Sequence, residues 1–143
     1  MKRVKKSGRY LIIVLSVMVL NSCVDVHDTF KSKMLVSGKG EKIYINTLNW
    51  GVTDDYQYTV ITKNSTLLKD RKDTISGIKG LDPFVYKFSG DSLTIFFQKG
   101  NRVDVKEEFK TIQFNYIPLD NKDYIKLLSD TRVNKNGCHL VSD

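Results

Sequence analysis

The side chains that could do chemistry in this chain are few, and their spacing is poor for it. Two Cys and two His occur, at positions 23 and 138 and at 27 and 139. Cys138 and His139 are adjacent, and neighbours on a strand point to opposite faces. They make neither a chelate nor a nucleophile–base pair. His27 stands apart, and no CxxC or HxxxH spacing accompanies it, so no metal and no cofactor is expected. Asp54 and Asp55 are the most tempting acid pair, because paired carboxylates bind Ca²⁺ or cleave glycosidic bonds. Glycosidases, however, need the two carboxylates facing across a cleft. Adjacent Asp residues in a turn satisfy the backbone instead, and that is their expected role. GxSxG, Walker and GxGxxG patterns do not occur, and Gly38-Lys39-Gly40 lacks the rest of a phosphate loop. No catalytic residue is assigned, and a non-enzymatic role is expected. The densest stretch is LNWGVTDDYQY, Leu48 to Tyr58. Aromatics beside polar groups are what carbohydrate platforms and protein interfaces use, so Trp50, Asp54, Asp55 and Tyr56 form the candidate ligand set. Trp50 also continues the face of Tyr44 and Leu48, and a place in the core is its expected one.

These residues follow an N-terminal segment with the character of an address. The first nine residues carry Lys2, Arg3, Lys5, Lys6 and Arg9 and no acid, and Tyr10 to Leu20 is apolar apart from Ser16. Eleven helical residues reach about 17 Å, against a hydrocarbon core about 30 Å thick. The run is too short to span a membrane but suits a secretory signal core. It ends in Leu20-Asn21-Ser22-Cys23, which resembles a bacterial lipobox. That resemblance implies cleavage after Ser22, a diacylglycerol on the Cys23 thiol and a further acyl chain, such as palmitate, on the new amine. One acyl chain holds a protein marginally and two or more hold it stably. Residues 1–22 are therefore expected to be a removed signal peptide, 23–40 the lipidated Cys and its tether, and 41–143 a single β-rich domain. Asp25 and Asp28 are expected as charges of a solvated linker.

The net charge of +7 belongs largely to the signal. Removing residues 1–22 takes five of 23 basic residues and none of 16 acids, leaving 18 basic against 16 acidic, or +2. No basic stripe stands out, so no nucleic-acid partner is expected. With Cys23 lipidated, Cys138 has no intrachain partner and is expected as a quiet thiol.

From Glu41 onward short alternating runs are separated by turn residues, the pattern of strands. KIYINTLNW sets Tyr44, Asn46, Leu48 and Trp50 against Ile43, Ile45 and Thr47. YQYTVITK places Tyr56, Tyr58 and Val60 on one face. NSTLLKDRKD reads as a polar connection, and TISGIKGLDP as irregular or short edge pairing. Phe84, Tyr86 and Phe88 line one run and Leu93, Ile95 and Phe97 the next, with hairpin chemistry in Ser89-Gly90-Asp91-Ser92. Val103 and Val105 suggest a short strand. Ile112, Phe114 and Tyr116 share the face of another, which Pro118 should stop. Tyr124, Leu127 and Leu128 then take helical spacing behind a capping Asp120, giving one C-terminal amphipathic helix at about 121–131. The expected fold is mainly β: an antiparallel β-sandwich, or alternatively a small open barrel, with that helix over the sheet.

The address, LNW followed by TVITKN, and the hairpin PFVYKFSGDSLTIFFQKG together resemble small, functionally unassigned lipoproteins of Bacteroidetes-type bacteria. The resemblance implies a lipid-anchored protein of the cell envelope, at the outer membrane, on its periplasmic or surface face. Asp73-Thr74-Ile75 and Asp91-Ser92-Leu93 resemble the O-glycosylation acceptor of that group, which makes Thr74 and Ser92 candidate modification sites. Two functional readings follow. One is a non-enzymatic β domain that binds an envelope protein or serves a structural role. The other is a carbohydrate- or ligand-binding module using the Trp50–Tyr58 region.

Overall fold

The computed structural model describes residues 28–51, 56–79, 84–101 and 103–141. Among them eight strands form two open four-stranded sheets, with one α-helix. The first sheet has the order β1-β2-β3-β4, all antiparallel: β1 is Thr29–Val36, β2 Lys42–Trp50, β3 Tyr56–Thr62 and β4 Ile78–Lys79. The second has the order β7-β6-β5-β8: β5 is Val85–Ser89, β6 Ser92–Gln98, β7 Gln113–Leu119 and β8 His139–Leu140. The helix α1, Asn121–Arg132, follows β7. The expected sandwich with one helix is the fold; the sheets do not close into a barrel.

The core lies between the sheets. Ile43, Ile45 and Ile61 from the first meet Phe84, Tyr86, Leu93, Ile95 and Phe97 of the second. The alternation of β2 and β6 is the cause, because a period of two sends every second side chain to one face. The β5–β6 turn is the two-residue hairpin the sequence implies. Ser89 pairs with Ser92, and Gly90 takes φ +59°, a positive angle that costs glycine little. The helix starts where expected: the Asp120 carboxylate accepts from the Asp123 amide at 2.9 Å. It buries Tyr124 and lays Leu127 and Leu128 against Val85, Phe96, Cys138 and Leu140 on the outer face of the second sheet.

Four expectations need correction. Residues 29–36 are not tether but strand β1, paired with β2 along its whole length, so the domain reaches back at least to Thr29 rather than starting at 41. An edge strand buries little, and only Phe30 and Leu35 are even half-covered here, which leaves its alternation faint. The second sheet is mixed, because β6 and β7 run parallel. Parallel neighbours need a long crossover, and residues 99–112 supply it. Within it Val103 and Val105 form no strand; they pack on the core as irregular chain. Pro118, finally, does not stop β7, which runs on to Leu119. As an edge strand β7 can spare the missing N–H.

Two carboxylates hold that crossover to the first sheet. Glu41 accepts from the Lys110 amide at 2.9 Å, from the Thr111 amide at 2.6 Å and from the Thr111 hydroxyl at 2.7 Å. The buried Ser37 hydroxyl completes the knot, 2.9 Å from Thr111 Oγ1, while accepting from the Glu41 amide. Glu107 accepts from the Lys63 amide at 2.8 Å and from the Thr62 hydroxyl. At the same end Asp91 Oδ1 accepts from the Gly38 amide at 2.6 Å, joining the β5–β6 turn to the β1–β2 turn.

The Glu41 side chain is only 16% exposed. The amide of Lys110 above all, then the Thr111 hydroxyl, lowers its pKa from 4.5 to about 2. A carboxylate depressed by folding stabilises fully above its unfolded value and loses that contribution as pH falls through its folded one. Glu41→Gln should therefore lower the urea midpoint at neutral pH and flatten its fall between pH 4.5 and pH 2. Urea titrations of both proteins across that window check it; parallel curves would contradict the role given to Glu41.

Candidate functional site

The outer face of the first sheet carries the aromatic stretch. Cross-strand partners share a face, so Trp50 sits with Tyr56, Leu48 with Tyr58 and Asn46 with Val60. The inter-sheet face carries Ile61, Thr59 and Gln57 instead. Trp50 is thus not in the inter-sheet core, and neither are Tyr56 and Tyr58. Both faces of β2 are apolar enough to be buried, and alternation alone does not say which one meets the second sheet.

Part of this outer face is roofed by the connection after β3. Asn46 Nδ2 donates to the carbonyls of Asn64 and Leu67 at 2.9 and 2.8 Å, and its Oδ1 accepts from Ser32 Oγ at 2.7 Å. Leu68 is fully buried at φ +77°, an angle that leucine takes at a cost. A 3-10 helix, Arg71–Ser76, follows, capped by Asp70, and leads into β4. Gly77 passes so close to the sheet that a Cβ there would lie 3.1 Å from Tyr58 Cδ1. The polar connection of the sequence is therefore a lid on the sheet.

Beyond the lid the rings form a stack. Trp50 lies nearly parallel to Tyr58 at 5.1 Å and to Tyr56 at 5.8 Å between centroids. The Arg71 guanidinium sits 5.4 Å from the Trp50 ring, and the Lys79 ammonium 5.8 Å from Tyr56. Arg71 also grips Asp28 through two bonds, Nε to Oδ2 at 2.9 Å and Nη2 to Oδ1 at 2.5 Å. That hydrogen bond holds the Asp28 carboxyl below its ordinary 3.8, so the pair persists until the medium is more acidic than that value. Trp50 has three ring or cation partners and is half-buried, whereas Tyr56 is 46% exposed. Beside the stack opens a hollow of ≈ 640 Å³ lined by Asp28, Thr66, Lys69, Asp70, Arg71, Lys72 and Asp73. Lys72 pairs with Asp70 at 3.1 Å, and three acids face three cations around the hollow.

The inner face of the same sheet end is also unusual. Asn49 Oδ1, Gln57 Nε2 and Thr59 Oγ1 are buried and find no hydrogen-bond partner among the described residues.

Of the candidate ligand residues, Trp50 and Tyr56 come together here, while Asp54 and Asp55 lie outside the described residues, as do Ser22 and Cys23. Of the candidate glycosylation sites, Thr74 donates its hydroxyl to the Arg71 carbonyl at 2.8 Å, and Ser92 Oγ accepts from Asn115 Nδ2 at 2.7 Å. Both hydroxyls already serve the fold. Cys138 is free and buried, and burial raises its thiol pKa; His139 is exposed and packs against the Tyr86 ring. No group of His, Cys, Asp and Glu among the described residues could hold a metal ion. Sequence reasoning missed Arg71, Lys79 and Asp28. Arg71 sits in the charge run KDRKD, which looks like solvated loop, and its partners are distant in sequence. Comparison of the chain with protein-family models, with curated proteins and with solved structures finds no match.

Trp50 is the single tryptophan of the chain, so its emission reports this site alone. Arg71→Gln removes the cation over the ring and the grip on Asp28. Acrylamide should then quench Trp50 more strongly than in the parent protein; equal quenching would show that Arg71 does not cover the ring.

Proposed function

We propose that the protein is a lipid-anchored component of the bacterial cell envelope, held at the outer membrane by acyl chains on Cys23, whose β domain binds a partner rather than catalysing a reaction. The observation that carries this reading is the continuity between address and fold. The basic and apolar segment ends at Leu20-Asn21-Ser22-Cys23, and five residues later Asp28 is already fastened to Arg71 and Thr29 is in the β1–β2 ladder. Only residues 24–27 separate the anchor position from the first residue fastened to the sandwich. Two acyl chains or more would make such attachment stable.

Intact mass of membrane-extracted protein tests it. The expected product lacks residues 1–22 and carries added acyl mass, and Cys23→Ala loses that mass and leaves the membrane fraction. A cleaved chain without lipid, or an uncut chain, would overturn the anchor.

A second reading is a carbohydrate- or ligand-binding module. The placement of Trp50 and Tyr56 on the outer face, with Tyr56 open, favours it, since exposed rings beside donors suit sugar stacking. Titration of the protein with a panel of soluble glycans should then shift Trp50 emission saturably; unchanged emission across the panel would remove this reading.

A further inference from the structure

We propose that the Trp50–Tyr56 end of the first sheet rests on the phospholipid surface that holds the anchor, with Trp50, Tyr56, Arg71 and Lys79 at the level of the lipid headgroups. This rests on lipidation of Cys23. Five residues from Cys23 to Asp28 reach about 18 Å at most when fully extended. The near end of that span is fixed twice: Arg71 holds Asp28 through two bonds, and Thr29 pairs with Asn49, the neighbour of Trp50. The start of β1, the end of β2 and the start of β3 lie together at one end of the sheet. A lipid on Cys23 therefore brings this end of the sandwich to the membrane. The end with the Glu41 clasp, eight ladder positions along β1, points away.

The chemistry of that end suits the contact. Trp and Tyr favour the boundary between headgroups and hydrocarbon, where one side of the ring is dry and the other wet. Arg and Lys side chains lay their stems on apolar surface and keep their charge in the headgroup layer. Here the Arg71 and Lys79 cations themselves lie over the Trp50 and Tyr56 rings, so charge and aromatic surface come together at this end. Asp28 and Asp70 neutralise Arg71 and Lys72, so the contact is made by rings and short-range pairing rather than by a broad positive field. A polybasic surface would lose its hold in salt; this one should not.

The test uses the native lipidated protein in phospholipid vesicles, with flotation as the measure of anchoring. Lipids brominated near the headgroup should quench Trp50, the same lipids brominated near the chain ends should quench it less, and raised salt should leave both results unchanged. Protein that floats with the vesicles but emits identically with and without bromine would overturn the inference while leaving the anchor intact. Protein that fails to float would remove the anchor and the inference with it. An emission shift with soluble glycans, in floated protein that bromine does not quench, would assign the rings to sugar instead.

Discussion

The Glu41 carboxylate is the constraint on which the architecture turns. Pairing β7 parallel to β6 obliges the chain to leave the second sheet, travel, and return in the same direction. Such a crossover is usually a helix; here its described residues are irregular chain. Glu41, at the start of β2, gives the last turn of that chain three acceptor bonds, and Glu107 reaches back to the end of β3. Irregular backbone is thereby satisfied by the Glu41 carboxylate from the first sheet, while the crossover's own Glu107 accepts from the Lys63 amide. The same bonds join the two sheets at one end, so the route of the chain and the closure of the sandwich are a single event.

The two outer faces are finished differently, and that difference creates the candidate site. On the second sheet a helix covers Val85, Phe96 and Leu140 with Leu127 and Leu128, a conventional apolar cover. On the first, residues 63–77 cover the face by tying Asn46 to two carbonyls and forcing Leu68 into a positive φ. Of this cover, Arg71 and Gly77 reach the aromatic end of the face. Trp50, Tyr56 and Tyr58 are left to cover one another, with Arg71 as a partial roof. Beneath them, on the inner face, Asn49, Gln57 and Thr59 replace the isoleucines that fill the other half of the sheet. One end of the molecule is clamped by carboxylates and the other carries aromatic rings over polar inner-face residues.

Much of the fold was legible in the sequence because its signals are local. The alternation of KIYINTLNW and SLTIFFQ, the glycine of the β5–β6 turn, and Asp120 ahead of Tyr124 and Leu127 each depend on a few neighbouring residues. What stayed hidden depends on partners far along the chain. β1 looked like tether because an edge strand buries little and so alternates weakly. The parallel register of β7 left no mark in its own residues, and Pro118 misled because an edge tolerates what a central strand does not.

For the site the division has the same cause. The sequence by itself determined an apolar stretch too short to span a membrane, a near-neutral chain beyond it, the sparse set of reactive side chains, and the crowding of Trp50, Tyr56 and Tyr58 into one stretch. Only the tertiary structure decided that this stretch faces outward, that Arg71 from a polar connection stands over it, and that Asp28 is gripped by Arg71. Period-two patterning states that a strand has two faces; which of them is sealed is settled by the elements that arrive from elsewhere. On β2 both faces are apolar, so the choice fell to the second sheet and to the lid of residues 63–77, neither of which β2 encodes.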